Sequence, residues 1–180
     1  MSDKLINAAG SMGIMPMDIV TANSIMMRRK PDEVITRSMG KAVDEAADVD
    51  GYMQRWFLIR KMTHSDLENA YLHHFLRSDP EDMHCHPWDN TTVVINGGYI
   101  ERTPEGIFHR KAGDIVHRKA ADIHAIVEID RGTTSLFLTG KKVREWGFYS
   151  EHGFVPWRYY RAFKAEPEEG KAAFLEALTV

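Results

Sequence analysis

Apolar positions along this chain change their period twice. After Pro16, the residues Met17, Ile19, Val20, Ile25, Met26 and Met27 fit a helix, and Arg28-Arg29-Lys30 suits its negative C-terminal end. Pro31-Asp32-Glu33 reads as a second helix start, with Val34, Ile35, Met39, Val43 and Ala46 as its apolar face. Residues 1–50 are therefore expected to form a helical extension. Six of the ten methionines lie between Met12 and Met39, and such adaptable side chains suit helices packed against a body, against a second copy of the chain, or as a lid.

From about residue 52 the apolar runs become short and are separated by turn chemistry. Asn96-Gly97-Gly98, between Thr91 to Ile95 and Tyr99 to Arg102, predicts a hairpin. Pro104-Glu105-Gly106, Ala112-Gly113-Asp114, Asp130-Arg131-Gly132 and Glu151-His152-Gly153 punctuate the runs that follow. This spacing predicts a mainly β antiparallel sandwich or barrel over 51–160 rather than alternating β-α units. Pro167-Glu168-Glu169 then starts a terminal helix within 161–180, with Phe174, Leu175 and Leu178 as its buried stripe. No repeat or flexible linker divides the chain, so the three zones make one structural domain.

Composition narrows the function. The chain has 180 residues, 43% hydrophobic and 27% charged, which is enough for one well-cored globular domain. A net charge of −3 argues against nucleic-acid binding through bulk positive charge. A single cysteine permits no internal disulfide and suits a reducing compartment. No apolar run approaches the length of a membrane helix, and the first residues lack a secretory pattern, so a cytoplasmic protein is expected.

The nine histidines carry the chemistry. In Asp82-Met83-His84-Cys85-His86-Pro87-Trp88-Asp89-Asn90, strand alternation puts His84 and His86 on one face and Cys85 on the other. Two imidazoles on one face form half of a metal site. His124, in the apolar run Asp122-Ile-His-Ala-Ile-Val, suits a buried third ligand, whereas His117 stands beside charges and suits the surface. One of the adjacent pair His73 and His74 must face inward.

These residues resemble a cupin of the RmlC-like type. His84, His86 and the turn glycine Gly97 match the family's first motif, and Gly113-Asp114 with His124 match its second. The resemblance implies a double-stranded β-helix, a jelly-roll barrel with helices at either end. It also implies a divalent transition metal, foremost Fe(II), with Zn, Mn and Ni as alternatives. The family's glutamate position falls on Asn90 or Thr91, with Asp89 slightly early. Either Asp89 supplies a fourth ligand or three histidines hold the metal, as in the similar thiol dioxygenases.

Around such a metal, Arg118, Arg77 and Arg102 are candidates to hold an anionic group, and an unbroken strand would set Arg118 on the His124 face. Tyr159 and Tyr160 are candidates to present a phenol, Tyr159 foremost, and Trp88, Trp146 and Trp157 to wall the pocket. There is no nucleophile elbow, Walker loop, dinucleotide fingerprint or C-x-x-C. The expected function is an iron-dependent oxygenase acting on a small anionic substrate. Metal-assisted isomerase or lyase chemistry and a non-catalytic binding cupin are its rivals. A homodimer, with no nucleic-acid or membrane partner, is expected because apolar helix faces left on a small barrel would need covering.

Overall fold

Runs rich in β-branched and aromatic residues, each too short for a helix and each ended by turn residues, can bury their apolar faces only by pairing across sheets. The computed structural model describes residues 17–36, 42–43, 51–59, 67–79 and 82–178, together with positions 7 and 10. Its strands are β1 (Glu33–Thr36), β2 (Ala42–Val43), β3 (Gly51–Ile59), β4 (Asn69–Phe75), β5 (Met83–His84), β6 (Asn90–Asn96) and β7 (Gly98–Thr103). They continue with β8 (Gly106–Lys111), β9 (Ile115–Arg118), β10 (Ala125–Ile129), β11 (Thr134–Thr139), β12 (Gly147–Ser150) and β13 (Gly153–Pro156). The helices are α1 (Ile19–Arg28), α2 (Tyr160–Ala165) and α3 (Lys171–Ala177).

One sheet runs β2-β1-β3-β4-β11-β6-β9. Facing it are β10-β7-β8 and β13-β12-β5. An isolated antiparallel bridge between His84 and His124 joins β5 to the start of β10. From β4 to β11 the chain therefore passes back and forth between two four-stranded faces, β4-β11-β6-β9 and β5-β10-β7-β8. That strand order is a jelly roll, the double-stranded β-helix expected from the sequence.

Asn96-Gly97-Gly98 is not a hairpin. β6 is flanked by β11 and β9, and β7 by β10 and β8, so these residues carry the chain from one face to the other. Gly97 has φ +69°, and a Cβ there would lie 2.5 Å from Thr133 Oγ1 and 2.9 Å from Thr133 Cα. The glycine is required by the corner and its tight contact, not by a two-residue turn. The sharp β7–β8 hairpin is instead made at Pro104-Glu105-Gly106.

The expected second helix is also corrected. Glu33–Thr36 and Ala42–Val43 are antiparallel strands that extend the large sheet from β3. Val34, Ile35 and Thr36 are β-branched, and the unpaired edge of β3 offers more hydrogen bonds than a short isolated helix can make for itself. The rest of that predicted helix and the methionine-rich stretch before Met17 lie outside the described residues. The first helix does form, with Asp18 Oδ1 capping Thr21 N at 2.8 Å.

All six residues of β11 are buried because both faces of the large sheet are covered. Phe137 and Ser135 face the barrel interior, while Leu136 and Leu138 pack outward with Leu67 and Ala70. Further along that outer face, Ala22, Ile25 and Met26 of α1 cover Trp56 and Leu72. Trp56 Nε1 donates to Arg29 O at 3.0 Å and pins the helix end. At the other end of the chain, Tyr160 and Phe163 of α2 pack on Phe148 and Val155. Tyr160 Oη donates to Asp82 Oδ2 at 2.7 Å, and Lys164 Nζ lies 3.2 Å from the same atom. The C-terminal helices thus hold β12 and the segment leading into β5. No helix among the described residues is long and apolar enough to cross a membrane.

Candidate metal centre

β5 is two residues long and brings one histidine of the H-x-H pair to the seam between β10 and β12. His84 N donates to His124 O at 2.8 Å, and His124 N returns a bond to His84 O at 3.0 Å. His86 N donates to Ala120 O at 3.1 Å, which ties the second histidine to the loop that leads into His124. The ring centroids are 4.7 Å apart for His84 and His124, 5.1 Å for His84 and His86, and 5.2 Å for His86 and His124. One ligand nitrogen from each ring falls within a cluster 4.8 Å across, and His86 Nε2 and His124 Nε2 are 2.9 Å apart.

This trio fits a divalent transition metal by the chemistry of its donors. A ligating imidazole must be neutral, and all three are held so. Burial lowers the pKa of His84 and drives that of His86 well below the usual value, helped for His86 by the neighbouring His84 and His124. Burial, then Arg118, lowers His124 to about 4. His84 Nδ1 is buried and has no hydrogen-bond partner among the described residues, an uncompensated polar atom that a bound ion could satisfy.

Glu101 on β7 supports the centre, and the sequence reading did not single it out. Its carboxylate is 1% exposed. Oε1 lies 2.8 Å from His124 Nδ1, close but bent from ideal hydrogen-bond geometry. The same oxygen accepts from Arg118 Nε at 2.9 Å and from Arg118 Nη2, while Oε2 accepts from Arg110 Nε at 2.8 Å. Burial pushes the Glu101 pKa up, but His124 and Arg118 outweigh it and hold the carboxyl well below the usual range. A carboxylate at Nδ1 favours the tautomer that leaves Nε2 of His124 free as a ligand. The available signal was alternation, which puts Glu101 on the same face as the buried Tyr99.

The other expected site residues divide. Asp89 is not part of the converging cluster. Its Oδ1 accepts from Ala120 N at 2.8 Å, and Oδ2 lies 3.5 Å from Lys119 Nζ. Its place just after Pro87-Trp88 turns the carboxylate toward the 119–122 loop, so Asp89 shapes the support of His86 and His124. Arg118 does reach the cavity wall, but its guanidinium is spent on Glu101 and on Thr92 Oγ1 at 3.2 Å, and it positions Glu101 rather than standing free for substrate. Tyr159 lies away from the cavity, 38% exposed, with the Arg158 guanidinium 5.4 Å from its ring centroid. The turn Trp157–Tyr159 and α2 replace strand alternation by helical rotation, so Tyr160 is the buried member of the pair.

The cavity beside the histidines has a volume of about 300 Å³. His73 lines it and His74 does not, as alternation requires. Trp88 and Trp146 line it as expected, with Trp157 stacked behind Trp146 at 5.8 Å. Arg77 and Arg102 do not reach it. Residues not anticipated as site groups are Arg55, Asp79 and Tyr52. Tyr52 Oη donates to Asp79 Oδ1, while Asp79 Oδ2 accepts from Ile126 N at 2.6 Å. Burial, followed by the charge of Asp79, raises the Tyr52 pKa well above the usual phenol value and keeps the hydroxyl protonated.

Jelly-roll topology with three convergent histidines inside the barrel defines a double-stranded β-helix with a candidate metal centre. No protein-family model matches the chain, and no curated protein matches it. Similar solved structures include KdgF from a Halomonas species, at 18% identity over 53% of this chain and 86% of that one, with a TM-score of 0.43. An RmlC-like cupin protein from Ralstonia eutropha is similar at 14% identity over 67% of this chain and 80% of that one, TM-score 0.46. The DMSP lyase DddQ from Ruegeria pomeroyi is similar at 15% identity over 72% of this chain and 76% of that one, TM-score 0.45.

Proposed function

We propose that this protein is a metal-dependent cupin enzyme acting on a small anionic molecule inside the barrel, with His84, His86 and His124 as metal ligands. The observation that carries this reading is the convergence of three neutral imidazoles on a cavity of about 300 Å³. Three neutral donors leave the charge of a divalent ion uncompensated, so an anionic ligand is favoured beside it. With Fe(II) as the metal, the chemistry supplied would be oxygenation, with substrate and dioxygen brought side by side. The chain's own residues orient His124 through Glu101 and wall off water with Trp88, Phe137 and Trp146. On this reading, three histidines without Asp89 would make the centre resemble that of the thiol dioxygenases.

A specific observation favours a second reading, metal-assisted lyase or isomerase chemistry. Tyr52 and Asp79 form a hydrogen-bonded acid–base pair on the cavity wall. Elemental analysis of protein purified without added metal, followed by oxygen consumption against thiols, amino acids and phenols, separates the readings. About one iron per chain with substrate-dependent oxygen uptake supports the oxygenase. Turnover without oxygen uptake supports the lyase or isomerase. Full metal content in a His84→Ala/His86→Ala variant overturns the proposed centre.

Assembly belongs to the same proposal. On α1, Val20 and Met27 are 72% and 87% exposed even though the helix covers Trp56 and Leu72 of its own chain. We expect a homodimer, and light scattering on the full chain tests it, with a monodisperse monomer as the contrary result.

A further inference from the structure

We infer that the loop between β11 and β12, residues 140–146, is a positively charged entrance that draws small anions to the barrel and acts on their arrival rather than on their hold at the metal; this rests on the metal-enzyme reading above. The cavity is closed at one end. Met53, Phe75, Tyr99 and Ile126 form a floor in which none is more than 8% exposed, whereas His84, His86, Trp88 and Trp146 are partly open to solvent. The histidine end is therefore where the cavity meets water.

Backbone bonds hold the loop at that opening. Gly140 N donates to Asp89 O at 2.9 Å, Val143 N to Pro87 O at 2.8 Å and Arg144 N to the same Pro87 oxygen at 3.3 Å. Pro87 and Trp88 line the cavity, and the loop runs directly into Trp146, which lines it too. Its side chains therefore stand beside the opening whatever rotamers they adopt.

Positive charge is concentrated here. Lys141 and Lys142 are exposed and meet no acid among the described residues. Arg144 donates to two neutral oxygens, Glu145 O at 3.0 Å and Tyr149 Oη at 3.4 Å. Lys119 Nζ lies 3.5 Å from Asp89 Oδ2, and Arg158 Nη2 lies 2.9 Å from Glu145 Oε2. The third acid of this region, Asp122, accepts from Lys119 N at 2.7 Å. Five cations thus face three acids around the opening, in a chain whose net charge is −3.

A cleft edged by one sign of charge and walled by apolar groups focuses the field and raises the rate at which the opposite charge arrives. The two lysines are solvated and held by no ion pair among the described residues, so they attract at a distance without gripping. Charges of that kind change association far more than dissociation. The attraction scales with the charge of the arriving molecule, so a small dianion gains more than a monoanion of the same size.

The test uses the full chain loaded with cobalt(II), whose visible bands report thiolate binding in stopped flow, and two thiol probes, the dicarboxylate mercaptosuccinate and the neutral 1-thioglycerol. The association rate of mercaptosuccinate is expected to fall at least about fivefold between about 20 and about 300 mM salt. At the lower salt, Lys141→Glu/Lys142→Glu should slow its association at least about tenfold, with its dissociation rate and both rates for 1-thioglycerol within about twofold of wild type, and Lys141→Gln/Lys142→Gln in between. Equal slowing of both probes, a change confined to dissociation, no change, or binding of neither probe to wild type overturns the inference. Failure of the metal reading looks different, because wild-type protein would then retain no cobalt. The loop is then tested on metal-free protein through the fluorescence of its partly exposed tryptophans, with iodide and caesium as quenchers, each scaled to free tryptophan. Iodide should quench wild type more than caesium does, and Lys141→Glu/Lys142→Glu should reverse that order. The same order in both proteins overturns the inference.

Discussion

Replacing Glu101 by Ala would remove two things from the barrel at once, and they can be measured apart. The carboxylate is 1% exposed and Arg118 is 6% exposed. Without Glu101, Arg118 keeps Thr92 Oγ1 but loses its counter-charge in a place that water does not reach. Breaking a buried pair by removing one partner costs about 3–5 kcal/mol, because the remaining charge is stranded. Arg110, 24% exposed, can turn to solvent and adds little. Separately, His124 Nδ1 loses the oxygen 2.8 Å away that orients it, which is expected to weaken metal binding by about 10- to 100-fold.

Urea unfolding of metal-free protein reads the first effect, and competition for Zn(II) or Co(II) against a chromogenic chelator reads the second. The double variant Glu101→Ala/Arg118→Met separates them, since removing both charges should recover most of the stability and none of the metal affinity. A Glu101→Ala protein within about 0.5 kcal/mol of wild type would refute the buried-pair argument. Unchanged metal affinity would refute the role given to Glu101 in orienting His124.

Other expectations follow from the same geometry. Asp89→Asn should leave metal affinity within about twofold of wild type, read by chelator competition, because its amide oxygen can still accept from Ala120 N, whereas Asp89→Ala should cost about 1 kcal/mol in urea unfolding by removing that acceptor. Gly97→Ala should destabilise by more than about 1 kcal/mol, since φ +69° and the 2.5 Å approach to Thr133 Oγ1 both oppose a Cβ; thermal unfolding measures it. For pH, His124 ionises at about 4 in the fold against an ordinary 6.5, so both folded and unfolded chains hold it neutral above that ordinary value. Below it the unfolded chain takes up the proton first, so metal-free protein should lose stability as pH falls from 6.5 toward 4, by about 3 kcal/mol from His124, in denaturation midpoints across that range. Flat stability over that window would contradict a buried neutral His124.

Period-two reasoning recovered what depends on one strand: the shared face of His84 and His86, and the inward turn of His73. It could not recover what depends on which strands become neighbours. Arg55 becomes a cavity group because β3 pairs with β4 in a register that opposes it to His73, and those residues are far apart in sequence. Glu101 reads as a solvated strand acid until Arg118 and His124 arrive from β9 and the start of β10. Asn96-Gly97-Gly98 carries the local chemistry of a hairpin, but β11 and β9 already occupy both edges of β6. The strand at Glu33–Thr36 is hidden from local reading for the same reason, since Pro31, Asp32 and Glu33 are local signals and the edge of β3 is not. Asp89 was near the right place in sequence, and its side chain is claimed by Ala120 and Lys119.

The location of the histidines links the site to the closure of the barrel. β11 and β6 share six register pairs, whereas β5 and β10 are joined by one bridge with hydrogen bonds of 2.8 and 3.0 Å, made by His84 and His124 themselves. The face that holds the cluster is therefore the least stitched of the jelly roll, and segments with few backbone bonds open most readily. Asp82, bound to Tyr160 and Lys164 of α2, and Phe148, paired with His84, anchor β5 from the other side. A ligand held by all three histidines would fasten β5 to the His124 strand, and anything that binds the folded form alone stabilises it, by about 2.7 kcal/mol at a hundred times its dissociation constant. The C-terminal helices, the Glu101 ion pairs and the histidine cluster thus act on one seam. Loosening any of them should be felt in ligand affinity as well as in unfolding, whereas changes on the outer face near Leu136 and Leu138 should be felt in unfolding alone.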